Sequence, residues 1–278
     1  MPTHGSHWSC LYPDVNVFGQ EQLPKLLKGL PLLHQQGWTN AHEIPKGEKV
    51  DRLAVFCEQN GPIRHMVIVL GHSVLRNNFL FSAYPAAVDT TEVSLRILRL
   101  EPWEYGVEGY VVAEIEDQGE MTFFDPWFFI NRNRYRIGEV NRIRLAAFAY
   151  VVKSMGQEYV QIDDPERAAV LREQLNMPAN EPVRFLMTDF VARFPQEPAD
   201  DCGFASPIKD IKPCEANGFA LRKAKIALAR GYDDIDAPLY IGAHTVAEGL
   251  DLRLGAQVQG AYWLQGYLAE SHSLFLGN

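Results

Sequence analysis

The stretch NRNRYRIGEVNRIR, residues 131–144, carries five arginines, Arg132, Arg134, Arg136, Arg142 and Arg144, in a chain whose formal net charge is −9. Just upstream stand Phe123, Phe124, Trp127, Phe128 and Phe129, and Tyr135 lies within it. Arginines beside exposed rings are the chemistry of single-strand nucleic-acid binding: guanidinium groups follow phosphates and rings stack on bases. In a strand over 140–149, alternation would send Arg142 and Arg144 to one face and Ile143, Leu145 and Ala147 to the other. The competing arrangement places the rings in a core. It pairs the arginines with Glu101, Glu104, Glu108, Glu114, Glu116 or Glu120 on neighbouring strands. The acidic balance of the whole chain favours this second arrangement.

Other residue groups were read for chemistry in the same way. His4, His7 and Cys10 form H-x2-H-x2-C. A metal requires three or four convergent nitrogen or sulfur ligands. No second short cluster accompanies these three, so no metal and no cofactor are expected. His72 and Ser73 are adjacent in a strand-like run, where neighbours face opposite ways and cannot form a nucleophile–base pair. The acidic groups Asp163/Asp164, Asp200/Asp201 and Asp233/Asp234/Asp236 read as caps or solvated turns. No P-loop, GxSxG, HExxH, GxGxxG or EF-hand pattern occurs.

Positioning elements follow from periodicity and punctuation. Leucines at 23, 26, 27, 30 and 33 have helical spacing over 18–38, with Gly29 and Pro31 as breakers. Strand-like runs occupy 52–58, 65–75 and 78–84, separated by turn residues. Residues 94–152 are β-rich. Residues 165–175 form the clearest helix, opened by Pro165 and capped by Asp163 or Asp164. PQEPADDCG, 195–203, reads as a linker. Residues 219–230 fit a strand with Ala224, Ile226 and Leu228 on one face, or a helix ending at Gly231; the strand is preferred.

Two segments echo each other. RIGEVNRIRLAAFAY, 136–150, and RLGAQVQGAYWLQGY, 253–267, each open on Arg, an aliphatic residue and Gly, then enter an apolar strand with aromatics. Their glycines, Gly138 and Gly255, are 117 residues apart. Glycine-bent strands rich in small and aromatic residues suit small closed barrels.

The expected fold is α+β, mainly β: an N-terminal α+β unit (1–90), a first OB-like barrel (91–155), a helical linker (156–198) and a second OB-like barrel (199–278). The 278 residues include 47% hydrophobic and 22% charged residues, which supplies a sizeable core and argues against disorder. Four cysteines without CxxC spacing, and no apolar run of membrane length, point to reduced thiols, a cytoplasmic protein and no membrane association.

The leading functional expectation is a non-enzymatic interaction protein that acts on another protein through barrel surfaces, with Trp263 as an anchor wherever it faces solvent. The alternative is single-strand nucleic-acid binding through Arg132, Arg134, Arg136, Arg142, Arg144, Trp127 and Tyr135. A third class is an enzyme whose site is assembled from residues distant in sequence.

Overall fold

A computed structural model of the chain describes residues 7–14, 23–38, 50–72, 77–103, 105–115, 118–156, 159–216, 218–231 and 234–276. It is mainly β, with several sheets. A 3-10 turn, His7–Cys10, comes first, then helix α1, Leu23–Gly29. Strands β1 (Leu32–Gly37), β2 (Arg52–Cys57), β3 (Ile63–His72) and β4 (Asn77–Ala87) form an antiparallel sheet in that order. The 18–38 stretch is therefore not one helix. Pro31 disfavours the helical conformation at the residue before it, and Leu32–Gly37 pairs with β2 instead. Residues 18–22 lie outside the described residues.

The remaining chain builds a nine-stranded sheet and a small hairpin. Strands β5 (Thr91–Pro102), β6 (Gly109–Ile115) and β7 (Gly119–Phe124) form a meander, followed by helix α2 (Phe128–Asn131) and the long β8 (Val140–Ser154). Next come β9 (Tyr159–Gln161), helix α3 (Pro165–Gln174), β10 (Arg184–Leu186) and β11 (Ala192–Pro195). A second meander follows: β12 (Asp201–Ala216), β13 (Phe219–Ala229) and β14 (Ile235–Gly242). Then come a 3-10 turn at Ala243–Thr245, the long β15 (Gln257–Leu268) and helix α4 (His272–Leu276). Asp164 caps α3 by accepting from the Arg167 N–H at 2.7 Å, with Pro165 in the first turn. Residues 219–229 are a strand because neighbours pair on both sides, β12 on one edge and β14 on the other. The 195–203 stretch is not a solvated linker, since β11 ends at Pro195 and β12 begins at Asp201.

The pairing pattern is two-fold. The strand order is β11-β12-β13-β14-β8-β15-β7-β6-β5, with extra pairings β12–β15 and β8–β5. These extra pairings close two circuits of five strands, β12-β13-β14-β8-β15 and β5-β6-β7-β15-β8, which share the β8–β15 ribbon. The two segments that echo in sequence are this ribbon. Both meanders shift register at the same place, between Ile97 and Arg99 in β5 and between Ile208 and Asp210 in β12, and the second shifts again between Ala227 and Ala229 in β13. Each circuit has a parallel pairing at the matching place, Gln265 with Phe124 and Tyr240 with Phe148. Ala147 and Leu264, paired directly across the ribbon, are 117 residues apart. That spacing is the offset of Gly138 and Gly255, which both turn with positive φ, 79° and 78°.

The ribbon separates two cores. Along β15, alternation sends Trp263 and Tyr267 to one cluster and Tyr262, Leu264 and Leu268 to the other. The first cluster joins Trp8, Leu53, Ile68 and Tyr84 of the N-terminal region to Phe124, Trp127, Phe148 and Trp263. The second is drawn from the nine-stranded sheet and includes Leu95, Ile97, Phe204 and Ile226. This explains why β15 is apolar on both faces.

Candidate functional site

The arginine stretch is divided by its local structure. Trp127 is fully buried, and Tyr135 is 7% exposed. Tyr135 donates its hydroxyl to Asp125 at 2.7 Å. Neither ring presents a face to solvent. Arg132 donates to the Gly106 carbonyl at 2.9 Å and sits over the Trp38 ring. Arg134 and Arg136 are exposed, and Arg136 pairs with Glu139 at 3.3 Å. Arg142 pairs with Glu92, and Arg144 reaches Glu92 at 3.6 Å and Thr90 at 2.9 Å. The expected glutamate partners are corrected. β5 lies antiparallel along the N-terminal half of β8, so Glu92 stands directly opposite Arg144. Glu101 and Glu120 pair with Arg99, and Glu114 with Arg96. Glu104 and Glu116 lie outside the described residues. The structure thus brings Arg142 and Arg144 together and keeps both rings inside.

Trp263 has 0% exposure, so it is a core residue and not a surface anchor. Its surroundings form a polar cluster that connects the His7–Cys10 turn to the nine-stranded sheet. The indole N–H donates to Asp200 Oδ2 at 2.5 Å. The His7 ring stacks on the indole with centroids 4.0 Å apart. Tyr150 donates to Asp201 Oδ1 at 2.9 Å, and the same oxygen lies 4.0 Å from His7 Nε2. The Tyr110 phenol lies beside Asp200, and burial together with that negative charge pushes it up. Burial raises the Asp201 carboxyl to about 7; the negative charge of Asp200 adds to the rise, and the Tyr150 hydrogen bond opposes it. Burial also pushes the Cys10 thiol well above its ordinary value; its Sγ donates to the Phe148 carbonyl at 3.6 Å.

Sequence reading placed Asp200 and Asp201 in a solvated turn. Asp200 is 1% exposed, because its carbonyl accepts from the Leu264 N–H and draws the loop against β15. In sequence, His7 was read with His4 and Cys10 as a triplet too sparse to hold a metal. It is 2% exposed and faces the two aspartates instead. The terminal turn is held by Tyr12, hydrogen-bonded to His65 Nε2, while His65 Nδ1 meets Glu58 Oε1 at 2.6 Å. His4 lies outside the described residues. The nitrogen of His7 and one oxygen from each of Asp200 and Asp201 lie within 4.8 Å of one another, so these three residues have a metal-ligand arrangement. A pocket of about 150 Å³ reaches Asp201, lined also by Glu120, Arg193 and Cys202. Sequence held one signal for this site, two adjacent aspartates before an apolar strand. The approach of His7 from nearly 200 residues away left no local trace.

A different surface lies between the two meanders. β9 and β10 pair only with each other among the described residues. Every residue of both strands is exposed, including Tyr159 at 42%, Val160 at 38%, Phe185 at 43% and Leu186 at 73%. Phe190 and Phe194 nearby are exposed as well. Ala168 is the one buried residue of α3.

Scans of the chain against protein-family models, curated proteins and solved structures returned no match. Among the described residues, no helix is long and apolar enough to cross a membrane.

Proposed function

We propose that the chain is a non-enzymatic binding protein whose scaffold is a pair of OB-like five-stranded barrels and whose partner is another polypeptide. Support for the barrel description comes from the strand circuits: each runs through a three-stranded meander, a short helical turn and a fourth strand, then closes with a strand of the other repeat. The observation that carries the interaction reading is the β9–β10 hairpin, whose apolar side chains are exposed on both faces. Tyr159 and Leu186 share one face, and Val160 and Phe185 share the other. A two-stranded ribbon with both faces wet is at best marginally stable alone. Its outer backbone edges accept an extended strand, and its side chains supply the apolar contacts of β-augmentation.

The test compares the parent chain with a Phe185→Ser, Leu186→Ser variant as bait in native lysate from the source cells. The expected result is a stoichiometric polypeptide partner that is lost in the variant. Both baits should unfold within ~0.5 kcal/mol of each other, because exposed substitutions are nearly neutral for stability. A partner retained in full by the variant, or none with either bait, overturns the reading.

A further inference from the structure

We propose that His7, Asp200 and Asp201 bind a divalent transition-metal ion, which completes the end of the ribbon near Trp263. The proposal goes beyond the interaction reading and does not depend on it. The donors are one imidazole nitrogen and two carboxylate oxygens, within 4.8 Å of one another. Metal bonds to such atoms run at roughly 2.0–2.2 Å, so two donors on one ion stand at most about 4.3 Å apart. The His7–Asp201 separation is 4.0 Å, and the three side chains would draw inward on binding, since donors on a tetrahedral ion stand roughly 3.4 Å apart. Neighbouring aromatic residues fix the three side chains. Trp263 stacks on His7 and donates to Asp200, and Tyr150 donates to Asp201.

The other end of the ribbon supplies an independent observation. Carried through the pairing registers, Asp200 and Asp201 are equivalent to Asp89 and Thr90, and Tyr150 is equivalent to Tyr267. At that end Asp89 is paired with Lys223, and Arg144 donates to Thr90. The positions equivalent to Lys223 and Arg144 are Tyr110 and Ala261. The end with His7 therefore gains a second carboxylate where its counterpart has a hydroxyl, and has Tyr110 and Ala261 at the positions of Lys223 and Arg144. A +2 ion on the three donors would balance the two carboxylates that this end brings together. The imidazole selects a transition ion over Ca²⁺ or Mg²⁺, which take oxygen ligands. The pocket beside Asp201 gives a route for entry.

The experiment uses the full chain, stripped with a chelator and titrated calorimetrically with Zn²⁺. The expected result is one equivalent bound. Affinity should fall more than roughly 100-fold in His7→Gln and Asp201→Asn, and roughly 10-fold in Tyr150→Phe, which touches only the outer shell. Tyr110→Lys, which places a cation at the position equivalent to Lys223, should also abolish binding. Circular dichroism checks that each variant is folded. X-ray absorption at the zinc edge of the parent complex serves if a variant fails to fold. One imidazole with only oxygen neighbours supports the proposal; sulfur or several imidazoles in the shell overturns it. No saturable binding, or binding unchanged in the folded His7 and Asp201 variants, overturns it equally.

Discussion

The two ends of the β8–β15 ribbon are built on the same pairing pattern and stabilised in different ways. At one end, Asp89 pairs with Lys223, and Arg144 pairs with Glu92 and donates to Thr90, all from the two repeats themselves. At the other, Asp200 and Asp201 meet Tyr110 and Tyr150, and the N-terminal turn brings His7 onto Trp263. A duplicated backbone thus tolerates opposite electrostatic solutions, because strand pairing uses main-chain groups and leaves the side chains free to diverge. The first end is complete within the repeats. The second also takes in His7 from outside them.

The strongest way to break the comparison is to break the ribbon that both ends share. A Cβ on Gly260 would sit 1.9 Å from the Val151 carbonyl oxygen. That oxygen is backbone in the partner strand and has no rotamer to yield. Gly260→Ala should therefore lose its cooperative unfolding transition in urea, and a parent-like midpoint would refute the tight β8–β15 approach.

A second test exploits a carboxylate present in only one repeat. Asp125, whose counterpart is Ile241, accepts from Tyr135, Asn131 and the Trp127 N–H. Burial outweighs those bonds and raises its carboxyl from 3.8 to about 7. The folded protein then keeps a proton that the unfolded chain releases. Stability from this group is full below the unfolded value and is lost as pH rises towards 7. Asp125→Asn has no proton to release, so its deficit relative to the parent should be largest near pH 4 and narrow by pH 7. Denaturant unfolding across that range measures the gap, and a gap that widens with pH would contradict the burial argument.

The smallest effect sharpens the contrast between the ends. Tyr150→Phe removes a 2.9 Å hydrogen bond to a carboxylate and should cost roughly 1–3 kcal/mol. Its equivalent, Tyr267→Phe, loses longer contacts of 3.5 Å to Thr90 and Val88 and 3.1 Å to His272, and should cost about 1 kcal/mol or less. Unfolding of both variants in chelator compares them, and a reversed order would mean that the Thr90 end, not the Asp201 end, relies on its tyrosine.

Much of the β architecture was legible in the residues. Strand-like runs at 52–58, 65–75 and 78–84 foreshadowed β2 to β4, and alternation along 219–229 marked β13. The echo of 136–150 in 253–267 located the two strands of the shared ribbon. The helical leucine spacing held for Leu23–Gly29 and stopped at the breaker expected there, but the strand Leu32–Gly37 beyond it took up a sheet edge that the spacing did not announce. Less of the candidate site was legible. Five arginines in fourteen residues drew attention, yet their partner Glu92 was not among the glutamates considered. The paired aspartates resembled a turn.

Sequence alone determined the mainly β character, the two apolar faces of 257–268 and the glycine bends that precede both ribbon strands. These depend on side-chain period and backbone freedom, which act within a few residues. Only the tertiary structure decided that the two repeats share β8 and β15, that Trp263 faces inward, and that His7 meets Asp200 and Asp201. Each of those facts is a contact between residues far apart in the chain. Such contacts are chosen by the burial and pairing of the whole sheet, and no local pattern encodes them.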